Sequence, residues 1–203
     1  MTNVNVVNNV PNIDVNIDES DNGFSITITQ KKYRKMLKEY HPGDVVKIGK
    51  REYVVLEHED GNTALLDKNV AAEMEFGKNA KWVGSNVETY CEVDYYNELA
   101  KVVGKENIIP HTVNLMCDDG SNKNVTTKNR ISVLTPELYR KYREIIPLVD
   151  KTCWTPNGVT VLDDDYSRCV CVVYCSGILG WDCCGWTRGV RPFCILNSDV
   201  LTS

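Results

Sequence analysis

The chain has 203 residues and a formal net charge of −5, and 42% of its residues are hydrophobic while 25% are charged. This composition is typical of a globular protein with a hydrophobic core, and the acidic charge argues against a nucleic-acid partner, which requires clustered Lys and Arg. The opening MTNVNVVNNV lacks the features of a secretory signal and no apolar run could span a membrane, so we expect cytoplasmic synthesis without a signal peptide and no membrane insertion.

Residues 1–29 differ in character from the rest of the chain. The stretches NVNVVNNVPNIDVNID and GFSITIT alternate apolar with polar residues, and this period of two predicts strands with one buried face. The Asn content and Pro11 indicate an N-terminal extension without a core of its own. It is either a tether or oligomerisation arm, or a partly disordered tail.

A helix and three strands are predicted next. The segment QKKYRKMLKEY, residues 30–40, predicts a short helix with basic residues on one face, and HPGD ends it. Strands are predicted at 45–49 and 52–58, with a tight turn between them. A third strand is predicted over residues 63–70, after the turn at Asp60–Gly61.

Two further helices have clear start signals. Ser85, with Glu88 three residues later, forms a capping box, and Thr135 is an N-cap followed directly by proline. The first helix is expected to end at Gly104 and the second at Pro147. The predicted buried stripes are Val87, Tyr90, Cys91, Tyr95, Leu99 and Val102 in the first helix and Leu138, Tyr142, Ile145 and Ile146 in the second.

After Lys151 the chain is β-rich and punctuated by glycine, and no helical pattern recurs. Helices that come early, followed by strands and long loops, predict an α+β domain over residues 30–203. We expect two to three early helices, mixed antiparallel strands and long C-terminal loops.

No catalytic motif is found in the chain. The three histidines, His41, His58 and His111, are scattered, and none has a metal-ligand neighbour at helical spacing. A nucleophile elbow, a P-loop and a dinucleotide-binding glycine motif are also missing. We therefore predict a protein that is not an enzyme and binds no cofactor, although a Cys–His pair assembled by the fold stays open.

Nine cysteines are present, and seven of them lie between residues 153 and 194. An odd number without a signal peptide is a poor basis for a disulfide framework. Within the cluster only Cys171 and Cys175 have zinc-ligand spacing, so no metal is predicted, and a structural zinc or disulfide-stapled interaction domain is an alternative. The run Asp163-Asp164-Asp165 is either a calcium ligand set or, as we expect, a solvated acidic turn.

The C-terminal quarter has an unusual composition. Residues 152–203 contain no Lys, Glu, Gln or Met, whereas residues 1–151 contain 15 Lys, 13 Glu, one Gln and four Met. Codons that end in a pyrimidine encode Cys, Tyr, Asp and Ser but neither these four residues nor Trp. We hypothesise that this segment was randomised from AAC-type codons. The cysteines are then chance substitutions at variable surface positions, and Trp154, Trp181 and Trp186 are fixed framework.

A series of short motifs occurs in order along residues 42–196: Pro42-Gly43-Asp44, Tyr53-Val54-Val55-Leu56, Ala64-Leu65-Leu66, Trp82 to Ser85, Leu134-Thr135-Pro136-Glu137, Cys153-Trp154 and Gly189-Val190-Arg191-Pro192. In this order they resemble a domain-of-unknown-function family of Firmicutes and their phages that has a C-type-lectin-like fold. The chain departs from the family pattern at Cys153, at residues 154–157 and between Arg168 and Trp186. The departures are similar to those in variable proteins of diversity-generating retroelements.

This resemblance implies a binding module with a variable face at about residues 153–186. A retroelement-diversified phage tail-tip or cell-surface protein is the expected setting, with a protein or glycan receptor on a host cell as partner. A homo-oligomer formed through residues 1–29 is also considered. Sulfatase-modifying oxidases, which share the broad fold and use a cysteine pair, provide the enzyme alternative.

Individual residues of the last segment receive separate expectations. Trp154 and Trp186 are expected in the core, and Gly189 to Pro192 are expected to form the last core strand, with Arg191 in a structural polar network. Tyr, Arg and Trp dominate the energetics of interfaces, which makes four residues of the face its expected anchors, Tyr166, Arg168, Tyr174 and Trp181. The full set of expected ligand contacts is Tyr166, Arg168, Cys169, Cys171, Tyr174, Cys175, Ile178, Trp181, Asp182, Cys183 and Cys184.

Overall fold

The computed structural model describes residues 13–20, 23–30, 34–163 and 166–203. It confirms the α+β class, with mostly antiparallel strands and few helices. The chain separates into two compact units, Met1–Lys35 and Met36–Ser203, where the sequence predicted a boundary after residue 29. Among the described residues, no helix is long and apolar enough to cross a membrane.

The described part of the first unit is an antiparallel hairpin of β1 (Ile13–Ser20) and β2 (Gly23–Gln30). The period-two prediction is confirmed for these strands, and residues 1–12 lie outside the described residues. Val15 faces Ile28 and Ile17 faces Ile26 across the hairpin, so apolar residues share one face.

The second unit contains all the remaining elements. Its strands are β3 (Val45–Ile48), β4 (Arg51–Glu59), β5 (Asn62–Asp67), β6 (Ala72–Glu75), β7 (Ile108–Ile109), β8 (His111–Asn114), β9 (Thr126–Asn129), β10 (Ile131–Val133), β11 (Cys153–Gly158), β12 (Cys169–Val173), β13 (Leu179–Cys183), β14 (Thr187–Val190) and β15 (Pro192–Asn197). Its helices are α1 (Asn86–Thr89), a π-helical turn (Tyr90–Tyr95), α2 (Tyr96–Val103) and α3 (Pro136–Tyr142), with 3-10 turns at Leu37–Glu39 and Lys105–Asn107.

Two sheets organise this unit. The central sheet has the order β10-β15-β5-β4-β3, with β7 also paired to β15, and the outer sheet has the order β13-β12-β11-β14-β6. Only β11 and β14 pair in parallel within these sheets, and β8 pairs with β9 separately. The strands predicted at 45–49, 52–58 and from residue 63 are confirmed as β3, β4 and β5.

The two capped helices begin where the sequence predicts. The Ser85 side chain accepts a hydrogen bond from the Glu88 backbone N–H at 3.0 Å, and Thr135 accepts one from the Leu138 N–H at 3.1 Å. The first helix continues from α1 through the π-helical turn into α2 and ends at Gly104. The φ of Gly104 is 85°, a left-handed value that glycine adopts readily and most other residues do not.

Each of the three helix predictions needs correction in part. Of residues 30–40, only Leu37–Glu39 form a single 3-10 turn, and residues 31–33 lie outside the described residues. In the first capped helix Val102 is exposed, although it was expected on the buried stripe. In the second capped helix, α3 ends at Tyr142 and not at Pro147. Its predicted stripe is confirmed, with Tyr142 and Ile146 buried and Leu138 and Ile145 partly buried against the same cluster, and Tyr139 is buried in addition.

The tryptophans separate the core from the surface. Trp154 is buried, packs edge-on against Phe76 at 5.5 Å, and donates its indole N–H to the Met74 carbonyl at 2.9 Å. The core prediction for Trp154 is therefore confirmed. The same prediction for Trp186 is wrong, because 54% of that residue is exposed.

Arg191 ties three backbone segments together inside the fold. Its guanidinium donates to the carbonyl oxygens of Asp67 at 2.7 Å, Lys68 at 3.0 Å and Pro147 at 3.0 Å. Burial lowers the pKa of Arg191. The predicted polar network is confirmed, but residues 189–192 span the junction of β14 and β15 and are not the last strand.

Candidate binding face

The hairpin of β12 and β13 forms one edge of the outer sheet and carries most of the predicted site. Its register pairs Cys169 with Cys183 and Cys171 with Trp181. Because side chains alternate along a strand, these four residues share one face of the hairpin. Val170 and Val172 of β12 pack into the hydrophobic core on the opposite face.

A three-residue turn closes this hairpin. The Tyr174 N–H donates to the Ile178 carbonyl at 2.9 Å, and Gly177 has a φ of 78°, as a type I turn followed by a left-handed glycine requires. The buried Tyr139 of α3 donates its hydroxyl to the Gly177 carbonyl at 2.9 Å. The turn is thus fixed from below, and it presents Cys175 and Ile178 to solvent.

Tyr166 and Trp181 form an exposed aromatic pair. Their ring centroids are 5.2 Å apart with an interplanar angle of 90°, an edge-to-face geometry. Tyr166 is 40% exposed and Trp181 is 48% exposed, so the pair contacts solvent although its members hold one another in place. This pair is the largest aromatic surface of the predicted face.

Arg168 is exposed and lies beside two cysteines. Its guanidinium is within hydrogen-bonding reach of Cys184 and close to Cys183, and this neighbourhood raises the pKa of Arg168. The backbone carbonyl of Arg168 also accepts from the Cys184 N–H at 2.9 Å, which fixes the start of β12. We name Tyr166, Trp181 and Cys183 the outer face, and Arg168 is exposed at its margin.

Four predicted contact residues lie inside the protein. Cys169, Cys171 and Cys184 are buried, and burial raises the pKa of Cys169 and raises that of Cys171 to about 12. Asp182 is also buried and accepts a hydrogen bond from Arg188 at 2.5 Å. The sequence analysis expected these four residues on an exposed face, and that placement is corrected, because all four are buried. The interpretation of these three cysteines as surface substitutions is also corrected.

Tyr174 has a structural role that the sequence did not indicate. Its ring covers Gly180, where an added Cβ would lie 2.3 Å from the ring, and its hydroxyl donates to the Trp181 carbonyl at 3.2 Å. That hydrogen bond engages the Trp181 carbonyl oxygen on the edge strand β13. Unpaired carbonyl groups on an edge strand can otherwise pair with a strand of another chain. Tyr174 thus positions the strand that carries Trp181.

A groove that the sequence analysis missed opens next to Ser167. It has a volume of about 400 Å³, and its lining is mostly apolar, with Val83, Val125 and Val161 exposed. These three residues come from segments far apart in the chain, so no local pattern indicated the groove. The one lining residue that stands out in the sequence is Trp82. It is buried, and its indole N–H donates to the Asn129 side-chain oxygen at 3.1 Å.

A second exposed aromatic residue, Trp186, was also missed because the sequence placed it in the core. The Arg188 guanidinium carbon lies 5.0 Å from the Trp186 ring centroid, in cation–π range. Arg188 in turn contacts the buried Asp182. Trp186 is therefore held at the surface by a guanidinium that is itself anchored.

The cysteines form neither bridges nor a metal cage. All nine are free thiols. Within residues 13–20, 23–30, 34–163 and 166–203, no three His, Cys, Asp or Glu side chains come together as ligands of one metal ion. Of the acidic run, Asp164 and Asp165 lie outside the described residues, and its calcium interpretation is not tested.

Comparisons with protein-family models, with curated proteins and with solved structures found no match to this chain. The site is therefore interpreted from its own geometry. Trp181 on β13, with Tyr166 and Arg168 in the turn before β12, provides stacking, hydrogen bonding and charge for non-covalent contact with a partner.

Proposed function

We propose that this chain is a ligand- or receptor-binding module with a C-type-lectin-like fold, of the retroelement-diversified kind displayed at a phage tail tip or on a cell surface. Its partner is a protein or glycan receptor on a host cell. The observation that carries the proposal is the exposed Tyr166–Trp181 pair on a hairpin whose opposite face is packed into the core.

The physical argument is pre-organisation. Trp181 is held by its strand pairing, by the Tyr166 ring and by the hydrogen bond from Tyr174 to its carbonyl. A rigid aromatic side chain loses little conformational entropy on binding, so more of its contact energy appears as affinity. Binding residues on loops above a rigid scaffold are also the arrangement in which sequence changes are tolerated best.

The codon hypothesis supports the same proposal in a narrower form. Trp181 cannot arise from a pyrimidine-ending codon, so it is a fixed anchor among positions that can vary. The accessible positions of the segment include Tyr166, Arg168, Cys175 and Cys183, and the three residue types at these four positions all have such codons. Variation at these positions would change the surface around Trp181 and leave the core residues unaltered.

The nucleotide sequence of the locus tests the diversification. We expect a near-identical downstream repeat whose differences fall at template adenines, next to a reverse transcriptase gene. The differing codons should be those of exposed positions such as 166, 168, 175 and 183. Natural variants that differ mainly at buried positions, for example 170 and 172, would contradict this part of the proposal.

Binding to cells tests the function itself. Fluorescently labelled full chain is incubated with a panel of Firmicutes cells, and bound fluorescence is measured by flow cytometry. We expect saturable binding to a subset of strains and at least a tenfold loss of affinity for the Tyr166→Ala/Trp181→Ala double variant, because two central aromatic contacts of about 1 kcal/mol or more each are removed. Val93→Ala, an exposed apolar change on the first helix, is the matched control. Equal binding by the double variant and the control would refute the outer face as the site.

We further propose that the hairpin β1–β2 joins two copies of the chain. Ile17, Phe24, Ile26 and Ile28 are all more than 40% exposed, and an isolated two-stranded hairpin is marginal in water. In the sequence, charges of opposite sign flank this apolar segment, with three acidic residues in 18–21 and five basic ones in 31–38, and they favour a second copy of the chain as the partner.

Sedimentation analysis tests this self-association. We expect the wild-type chain to form a dimer that Ile26→Lys dissociates, because a charge on the apolar face would be buried without a partner. Thr27→Lys places the same charge on the polar face of the same strand and should leave the dimer intact. A monomeric wild-type chain, or equal dissociation by both variants, would contradict the proposal.

A further inference from the structure

Cys169 and Cys183 stand directly opposite one another on β12 and β13. The Cys184 N–H donates to the Arg168 carbonyl and the Tyr174 N–H donates to the Ile178 carbonyl, so residues 168/184 and 174/178 are hydrogen-bonded pairs of this ladder. In an antiparallel ladder such pairs alternate with pairs that are not hydrogen-bonded. The pair 169/183, next to 168/184, is therefore not hydrogen-bonded, and in pairs of this kind the side chains approach most closely.

This position fits the geometry of a disulfide. Opposed residues of a pair that is not hydrogen-bonded have Cα atoms about 4.5 Å apart. Disulfides span Cα separations of roughly 4.4 to 6.8 Å, so a bridge here needs only small backbone adjustment. The two thiols are also close enough to interact electrostatically, because the pKa of Cys169 is raised first by burial and then by Cys183.

Other cysteines of the cluster are less suitable partners for Cys183. Cys184 is its direct neighbour in the chain, so its side chain points to the opposite face, where it is fully buried in the core. Cys171 is opposite Trp181, and Cys175 lies in the turn at the far end of the hairpin. The register thus singles out Cys169.

We propose that Cys169 and Cys183 are a redox-active pair that closes a reversible cross-strand disulfide when the protein meets a low-molecular-weight disulfide such as oxidised glutathione. The half-buried Cys183 loses its proton to solvent, and its thiolate attacks one sulfur of the oxidant. A mixed disulfide forms, and one glutathione thiolate leaves and takes up a proton. The Cys169 thiolate, formed by loss of its own proton, then attacks the Cys183 sulfur and releases the second glutathione.

Closure joins the edge strand β13 covalently to β12 and leaves both thiols oxidised, while one glutathione disulfide is reduced to two thiols. The bridge restricts the unfolded chain and holds the strand that carries Trp181 in register. Closure of the bridge requires only the register of the two strands and the access of oxidant to Cys183, whatever ligand the protein binds.

Peptide mapping tests the proposal. The full chain is incubated with oxidised glutathione, the remaining thiols are alkylated, and the protein is cleaved before Asp182 and after Arg168, which separates the two cysteines into different peptides. We expect mass spectrometry to find the 169–183 bridge, seven alkylated cysteines, and full reversal by dithiothreitol. A raised midpoint of urea unfolding should accompany the bridge.

Two variants and two controls make the outcome decisive. Cys183→Ser, at a half-buried position that tolerates a small polar side chain, should abolish the bridge, and so should Cys169→Ser. Cys175→Ser and Cys184→Ser should retain it. Nine alkylated cysteines after oxidation, a bridge that survives in Cys183→Ser, or a bridge from Cys183 to Cys175 or Cys184 would overturn the proposal.

Discussion

The central sheet and the outer hairpin β12–β13 use their two faces differently. In β5, Leu65 packs into one hydrophobic cluster and Leu66 into a second, so the strand is buried on both sides. In the outer hairpin Val170 enters the core, whereas Trp181 on the opposite face remains half exposed. The central sheet therefore provides stability, and the hairpin can change an exposed side chain such as Trp181 without removing core contacts.

The same contrast applies to cysteine. Cys91 and Cys194 are fully buried, and burial raises the pKa of both thiols, so each behaves as a small apolar side chain. Cys175 and Cys183 of the outer hairpin reach solvent. A cysteine-rich sequence thus contains inert and accessible thiols, and only the tertiary environment separates them.

The largest effect on stability is expected at Arg191, which holds backbone segments of the scaffold together. Arg191→Met removes three hydrogen bonds from a charged donor to backbone carbonyls, one of them buried and two partly buried, and should lower the free energy of unfolding by about 3 to 5 kcal/mol. Urea unfolding followed by circular dichroism measures the change. Arg143→Met, at an exposed position, should cost less than about 0.5 kcal/mol. Similar losses in the two variants would show that Arg191 does not hold the scaffold together.

A pH effect is expected at His111, which contacts Phe193 of the central sheet edge-on at 5.0 Å. Burial lowers the pKa of His111 from 6.5 to about 4, so the unfolded chain takes up this proton at a higher pH than the folded one. Stability from this group is complete above pH 6.5 and is lost as the pH falls toward 4, by up to about 3 kcal/mol.

Urea unfolding at a series of pH values checks this prediction. His111→Gln, which has no titrating ring, should remove the corresponding slope between pH 6.5 and 4. His41→Gln, at an exposed histidine, should keep the wild-type slope. An unchanged slope in His111→Gln would assign the acid sensitivity to other groups.

A smaller effect is expected where the hairpin meets the core, at Gly180. Gly180→Ala would put a methyl group 2.3 Å from the Tyr174 ring, so the ring must move and its hydrogen bond to Trp181 is lost. We expect a destabilisation of about 1 to 3 kcal/mol, measured by thermal or urea unfolding. Gly185→Ala is the matched control, because nothing lies within 4 Å of its added Cβ and it should be nearly neutral. Equal effects would mean that Tyr174 does not support the hairpin.

The smallest effect on stability is expected at Trp181, the exposed counterpart of the core residue Trp154. Trp181→Ala removes an exposed ring and its contact with Tyr166 and should cost only about 1 kcal/mol. Trp154→Ala, in the core, should cost about 3 to 5 kcal/mol. Urea unfolding of both variants checks the difference, and a large loss in Trp181→Ala would make the residue part of the scaffold.

The sequence by itself determined the elements whose signals are local. The caps at Ser85 and Thr135 depend on hydrogen bonds that reach three residues along the chain, and the alternation in β1 and β2 depends on a period of two. Both kinds of interaction are complete within a short segment. The α+β class was accessible for the same reason, through helix start signals, whereas the partners of Arg191 lie 44 to 124 residues away and only the fold identifies them.

Only the tertiary structure decided which side chains of residues 153–190 reach solvent. Trp154 and Trp186 are the same residue type, yet one packs on Phe76 and the other stands at the surface. The opposition of Cys169 and Cys183 arises from the register of two strands, and the groove beside Val83 from segments distant in sequence. Burial depends on which strands neighbour one another in a sheet, and long-range pairing of this kind leaves no local pattern to read.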